Sequence, residues 1–314
     1  VHVTGYQLLA TPLAFDGHFH VHFYPRLARE LAALQPDLLH MDEEPCNLAT
    51  LQGVWLAQRQ GTPACFFTWQ NLYRSYPPPF RWFERYVFRH VAHALAGNAE
   101  AIGILQRKGY RGPATLVPQF GVDPDIFRPV TRPPSPRFVI GYAGGLVPEK
   151  GIDLLLRAAA ALPDSEVRLA GSGSQQAALA ALARQLGLDG RVTFIPRLAS
   201  TAMPDFYAAL DALVLPSRTV SNWKEQFGRV LIEAMACGVP VIGAHSGEIP
   251  HVIGDAGLVF PEGDVTALRD HLRRLQQDAA LRHDLIRRGR ARLPNGRGGR
   301  PGSRGGCCVG WSIL

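Results

Sequence analysis

"EQFGRVLIEAMACGVPVIGA", residues 225–244, decides the reading of this chain. The run of Val, Leu, Ile, Ala and Met between Gly228 and Gly238 has the composition of a buried helix over roughly 229–237, and the apolar run after it that of a buried strand. Glu233 stands in the middle of the helix. An unpaired carboxylate among such neighbours is costly, so Glu233 is either a surface residue between buried ones or is kept for a ligand. Gly228 lets main-chain donors come close to an anion at the helix start. Glu233, one turn inside, then accepts two hydroxyl hydrogen bonds, as from a ribose diol. Glu225 belongs to the loop before the helix, where it faces a different portion of the same ligand.

Upstream, "GYAGGLVPEKG" (141–151) ends a hydrophobic strand in Gly144 and Gly145, turns, and sets Lys150 before a helix. Adjacent glycines let backbone N–H groups approach an anion without Cβ interference, and Lys150 adds a mobile positive charge. Alone, the segment also allows a tight turn with a solvated lysine. Beside 225–244 it reads as a phosphate site. "AGSGS" (170–174) also follows a strand and opens a helix, but a full GxGxxG is absent because position 176 is Gln. It is either a turn of small residues or a support for the diphosphate side.

Nearer the start, "LLHMDEEPCN" (38–47) places His40, Asp42, Glu43 and Glu44 at a strand end, where they bind sugar hydroxyls, orient an acceptor or form a polar loop. "HFHVH" (18–22) puts His18, His20 and His22 on one strand face. No fourth ligand follows, and no metal is expected. Trp69, Trp82 and Phe83 read as packing residues, with an aromatic acceptor platform open near "NLYRSYPPP" (71–79).

Strand-like and helix-like runs alternate from about residue 23, stop at the Pro-rich "RPVTRPPSPR" (128–137) and restart after it. Such repetition implies mostly parallel sheets covered on both faces, with ligands at the carboxyl ends of the strands. Two units and a cleft between them are expected. The last stretch, "NGRGGRPGSRGGCCVGWSIL", has no usable periodicity and reads as disorder or out-of-frame sequence.

The 314 residues are 46% hydrophobic, ample for two ordinary domains. Five cysteines with no CxxC pair suggest a reducing compartment. No stretch approaches membrane-spanning length and no secretory leader is read. The net charge of +7 comes from seven arginines within 285–314; the remaining 26 basic residues balance the 26 acidic ones. A neutral body argues against a nucleic-acid partner.

Taken in order, "VPQFGVDPDIFRP", "GLVPEKG", "EQFGRVLIEAMACGVPVIG" and "SGEIPHVIGDAGLVF" form a set that resembles the glycosyltransferases of family 4. The resemblance covers roughly residues 20–293, strongest at 138–262; "DEEPCN", "FTWQNLYRSYPPPF" and "AGNAEA" are similar to the N-terminal half of bacterial members. It implies the GT-B architecture, two Rossmann-like α/β domains facing across a cleft. Residues 1–131 would form the acceptor-side domain without its first elements, 132–293 the nucleotide-sugar donor-binding domain, and 294–314 a Gly/Arg-rich tail. It implies retaining sugar transfer from a nucleotide-diphosphate sugar, without metal or other cofactor, to a saccharide or lipid-linked acceptor in polysaccharide or glycolipid synthesis. The expected location is cytoplasmic, peripheral at the inner membrane.

By the same resemblance Lys150 contacts the diphosphate, Glu225 addresses the transferred sugar, Phe227 and Gly228 line the donor site with Gly144 and Gly145, and Glu233 holds the ribose. Backbone at Arg197–Leu198 meets the base, Gly247 adds to the phosphate wall, and His40, Glu43 and Glu44 stand on the acceptor side. Two departures matter: the family pattern has arginine where this chain has Gly145, and the first strand and glycine-rich loop of the N-terminal domain, with the closing helix after about residue 293, are not recognised in the sequence. A non-catalytic nucleotide-sugar binder is therefore an alternative. An NAD-dependent oxidoreductase is another, though it lacks a complete dinucleotide fingerprint.

Overall fold

The computed structural model describes residues 7–118, 120–130 and 135–292. The tail expected over 294–314 lies outside them. Contacts divide the chain into two compact units between Pro118 and Gln119, ahead of the proline-rich stretch. The intervening segment sides with the second unit because its aromatics pack there: Phe120 lies 5.2 Å from Phe227 and Phe127 lies 6.4 Å from Tyr207, centroid to centroid.

In the first unit the order is α1 (Leu27–Leu34), β1 (Leu39–Met41), α2 (Leu48–Gln60), β2 (Ala64–Thr68), α3 (Phe80–His90), β3 (His93–Ala96), α4 (Ala99–Arg107) and β4 (Ala114–Leu116). The four strands pair in parallel in the order β1-β2-β3-β4. Helix α2 ends at Gly61, whose left-handed φ of 73° suits a residue without Cβ. Helix α4, not foreseen as an element, is started by the Asn98 side chain, which accepts from Ala101 N–H at 2.8 Å. Phe66, Val87, Ala94, Leu105 and Tyr110 form the core.

The second unit runs β5 (Phe138–Ala143), α5 (Ile152–Ala160), β6 (Ser165–Ala170), α6 (Gln176–Gln185), β7 (Val192–Ile195), α7 (Met203–Ala208) and β8 (Ala212–Leu215). It continues with α8 (Arg229–Ala236), β9 (Val241–Ala244), α9 (Ile249–Ile253), β10 (Leu258–Phe260), α10 (Val265–Gln277) and α11 (Ala279–Arg292). Every residue of β5, β8 and β9 is buried, which is why these strands read as continuous apolar runs. All pairings are parallel, in the order β10-β9-β8-β5-β6-β7. The chain leaves β5 through β6 to β7, then crosses back to β8 and proceeds the other way. That reversal leaves a crevice beyond the carboxyl ends of β5 and β8, where open α/β sheets take their ligands.

Four of the arginines assigned above to a basic C-terminal segment belong to α11. Arg287 and Arg288 pair with Asp284, and Arg292 donates to the carbonyls of Val252 and His251. They help to fasten α11 rather than forming a loose cationic arm. No helix among the described residues is long and apolar enough to cross a membrane.

Candidate functional site

A cavity of about 500 Å³ opens at the carboxyl edge of the second sheet. It is lined by the end of β5 with Gly144 and Gly145, by the end of β6 with Gly171 and Ser172, by Arg197 and Leu198 after β7, and by Arg229, Val230 and Glu233 of α8. Close packing of the two glycine turns makes the wall. A Cβ on Gly171 would stand 1.8 Å from the carbonyl oxygen of Gly144, so only glycine allows the approach. Of the 170–174 segment, Ala170, Gly171 and Ser172 line the cavity.

Glu233 answers the question that its setting raises. It is 3% exposed, which rules out a surface role, and neither oxygen is unpartnered. The Tyr207 hydroxyl donates to Oε2 at 2.6 Å and Arg229 Nε donates to Oε1 at 2.7 Å. Burial first, then the Glu233 charge, pushes the Tyr207 hydroxyl well above the usual phenol range, so its proton stays on the tyrosine. Arg229 is half exposed, whereas Tyr207 is fully enclosed.

Lys150 and Glu225 do not line this cavity; they form an ion pair with each other. Lys150 Nζ donates to Glu225 Oε2 at 2.7 Å and lies 4.5 Å from the centre of the Trp223 ring. Ser217, just past β8, donates to the same carboxylate oxygen at 3.0 Å. The pair sits beside the glycine turn. Tyr142 donates its hydroxyl to the Gly145 carbonyl at 2.8 Å, and its pKa is raised by burial and then by the charge of Glu225. Gly228 begins α8 with φ 84°, and Phe227 before it is buried. Gly247 packs on the Glu225 backbone, where a Cβ would come within 2.0 Å of the Glu225 carbonyl oxygen. It shapes the loop that holds Glu225 and is not among the cavity-lining residues.

Three cations therefore stand at or beside the crevice, and they differ. Lys150 and Arg229 are neutralised by Glu225 and Glu233, while Arg197 makes no ion pair among the described residues. Sequence reading did not pick out Arg229 or Tyr207. The i,i+4 spacing of Arg229 and Glu233 was an available signal; nothing local announces a partner 26 positions away at Tyr207.

In the first unit the acids at the end of β1 are taken up by the fold. Glu43 accepts from His22 at 3.1 Å and Asn47 at 2.7 Å, and Glu44 accepts from the Thr68 hydroxyl at 2.6 Å and the Trp69 N–H at 3.0 Å. His20 bonds Asn47 at 2.7 Å, so two of the three histidines of the 18–22 segment fasten this loop. Burial raises the pKa of Glu44 against the opposing bonds. His40 lies on β1 with a buried Nε2 that has no partner among the described residues, and burial lowers its pKa. No group of three or more His, Cys, Asp or Glu side chains that could hold a metal ion occurs among the described residues.

The model of the glycosyl transferases group 1 family matches residues 123–292, more than half of the chain. The D-inositol 3-phosphate glycosyltransferase of Mycolicibacterium smegmatis is 38% identical over 148 residues, 43% of this chain and 33% of that protein. The corresponding enzyme of a Mycobacterium species (strain KMS) is 42% identical over the same span. The chain thus covers only about a third of the length of these relatives. Among solved structures, Anabaena HepE in complex with UDP superposes with a TM-score of 0.73 at 22% identity, covering 85% of this chain and 77% of that one. Sucrose-phosphate synthase from Thermosynechococcus elongatus gives 0.67 at 23%, covering 84% and 70%. These likenesses show the fold, the two-unit α/β arrangement called GT-B. The chain belongs to the glycosyl transferases group 1 family.

Proposed function

We propose that the chain binds a nucleoside-diphosphate sugar in the crevice beyond β5 and β8 and transfers the sugar, with retention, to a saccharide or lipid-linked acceptor. The observation that carries this reading is one cavity lined by two glycine turns, Arg197, Arg229 and a buried carboxylate at a topological switch point. Gly144 and Gly171 spend their N–H groups on the carbonyls of Ala170 and Ile195, and the N–H groups of Gly145 and Ser172 with those of the α8 start suit a diphosphate. Glu233 suits the ribose hydroxyls. Lys150 spends one of an ammonium's three donors on Glu225 and keeps two for phosphate oxygens. Glu225, on the same loop side, accepts from hydroxyls of the transferred sugar. UDP and UDP-glucose, held by the Anabaena structures, are the first ligands to try.

In the reaction the bond between the anomeric carbon and the diphosphate oxygen breaks as the acceptor oxygen bonds that carbon. Negative charge grows on the departing diphosphate, where preorganised N–H groups and cations stabilise it without rearranging. In a front-face course the acceptor proton passes to a donor phosphate oxygen. Nothing in this scheme calls for a metal. Polysaccharide or glycolipid synthesis at an inner membrane surface is the setting that fits a lipid-linked acceptor.

The test is calorimetry with UDP-, GDP- and ADP-sugars, followed by donor-consumption assays with membrane extracts and by anomeric analysis of the product. Donor binding with turnover and a retained anomer is expected. No donor binding, or an inverted product, would refute the reading. Binding without turnover against broad acceptor pools would favour a non-catalytic binder, for which Gly145 is the structural motive.

A further inference from the structure

Tyr207 and Glu233 come from separate helices, α7 and α8, and meet where α8 lines the cavity. Tyr207 holds Oε2 and Arg229 holds Oε1. An ionised carboxylate accepts at about four lone-pair sites. One position on each oxygen is thus left, on a carboxylate that borders the cavity.

We propose that Tyr207 is a positioning residue for nucleotide recognition: it clamps Glu233 so that the carboxylate presents its two remaining acceptor positions to the vicinal 2′,3′-hydroxyls of a ribonucleoside diphosphate. In this way it sets a preference for ribo- over 2′-deoxyribonucleotides. The inference rests on reading the cavity as a nucleoside-diphosphate site.

Three features single out Tyr207. The terminal torsion of a glutamate is broad, so an unclamped carboxylate turns through orientations that match one hydroxyl of a diol but not both. The clamp is a neutral donor whose proton stays on its own oxygen, which leaves the carboxylate its charge for the ligand. And the two partners of Glu233 differ in freedom: Arg229 is 53% exposed at its side chain, while Tyr207 is enclosed between Phe206 and Phe127 at 5.7 and 6.4 Å. The arginine is the side with room to move. The tyrosine is the fixed side.

Tyr207→Phe removes one oxygen and leaves the ring. Calorimetry of the wild type with UDP, GDP and ADP first selects the tightest nucleotide. That nucleotide and its 2′-deoxy analogue are then titrated into wild type, Tyr207→Phe, Glu233→Gln and the double variant. Loss of a hydrogen bond to a charged group predicts that Tyr207→Phe cuts the ribo-to-deoxy preference about tenfold. Affinity for the deoxy analogue should stay within about twofold, and the tyrosine should have no further effect once Glu233 is Gln. Equal loss for both nucleotides, an unchanged preference, or an undiminished effect in the Glu233→Gln background would overturn the proposal. A Tyr207→Phe protein that no longer shows a cooperative melt would assign the tyrosine a purely structural role and overturn it too. Absence of nucleotide binding by the wild type would instead overturn the reading of the cavity.

Discussion

Glu225→Gln should tighten the binding of a free nucleoside diphosphate while weakening the use of the nucleotide sugar. Glu225 occupies one donor of Lys150 at 2.7 Å. A phosphate oxygen bonded to that ammonium would lie about 5 Å from the carboxylate, and like charges at that distance repel by about 3 kcal/mol at an effective dielectric near 20. Solvent reaches both groups, with 20% and 11% of their side-chain surfaces exposed. Halving the figure for that leaves roughly 1–2 kcal/mol, a 5- to 30-fold gain in UDP affinity. Lys150→Ala should act in the opposite direction, since it removes a charge-assisted bond to the ligand worth about 1.5–3 kcal/mol. Calorimetry with UDP and with UDP-glucose, on variants whose melting curves show intact folding, separates the two. If Glu225→Gln weakens UDP as much as Lys150→Ala does, the ion pair is only a structural fastener and the division of roles fails.

Three further outcomes follow from the same geometry. A Cβ at Gly145 would meet only Val147 at 3.9 Å, so Gly145→Arg should fold normally and tighten UDP about tenfold by supplying a bidentate cation; unchanged affinity would show that Arg197 and Arg229 already fill that role. In the first unit Lys108 and Glu84 pair at 2.5 Å with side chains 4% and 8% exposed, so Lys108→Met should cost about 3–5 kcal/mol in urea unfolding by stranding a buried carboxylate, and a loss under about 1 kcal/mol would refute it. Glu262 should make stability pH-dependent: burial would raise its pKa, but bonds from Thr219 and Ser246 outweigh burial and bring it below the ordinary 4.5. Its folded form therefore favours the carboxylate, so its contribution is present above about pH 4.5 and fades as pH falls through the depressed value. The melting-temperature gap between wild type and Glu262→Gln should be open at pH 7 and narrow in acid; a constant gap would contradict the assignment.

Much of the second unit was legible because its physics is local. Fully buried parallel strands leave continuous apolar runs, and glycines at strand ends leave turns, so β5, β8, α8 and the Gly144–Gly145 turn could be read off the sequence. Glu233 was legible for the same reason, as a charge that its neighbours do not explain. What escaped was of two kinds. Helix α4 had its signal, the Asn98 cap, but at nine residues it is too short for a period to stand out, and α11 spreads its arginines around the helix. The other kind is non-local: the bond from Tyr207 to Glu233, the Lys150–Glu225 pair, and the allegiance of residues 120–127 to the second unit depend on contacts that no spacing rule encodes.

The internal pairings also explain why Gly145 bears on function more than a single missing charge suggests. With Lys150 neutralised by Glu225 and Arg229 by Glu233, Arg197 is the one cavity-side cation of the three not already paired with a carboxylate. On the proposed reading a diphosphate would then be met by Arg197 and by N–H groups such as those of Gly145, Ser172 and the α8 start, which bring no formal charge of their own. The same pairings hold both carboxylates in place before any ligand arrives, which lowers the ordering cost of binding. Arginine at position 145 would let the lysine and Arg229 stay with their carboxylates while the diphosphate bound elsewhere. Without it, on the proposed reading, the two donors that Lys150 has left and the half-exposed Arg229 would meet the phosphates while still holding the acids, so both tasks fall to the same two cations.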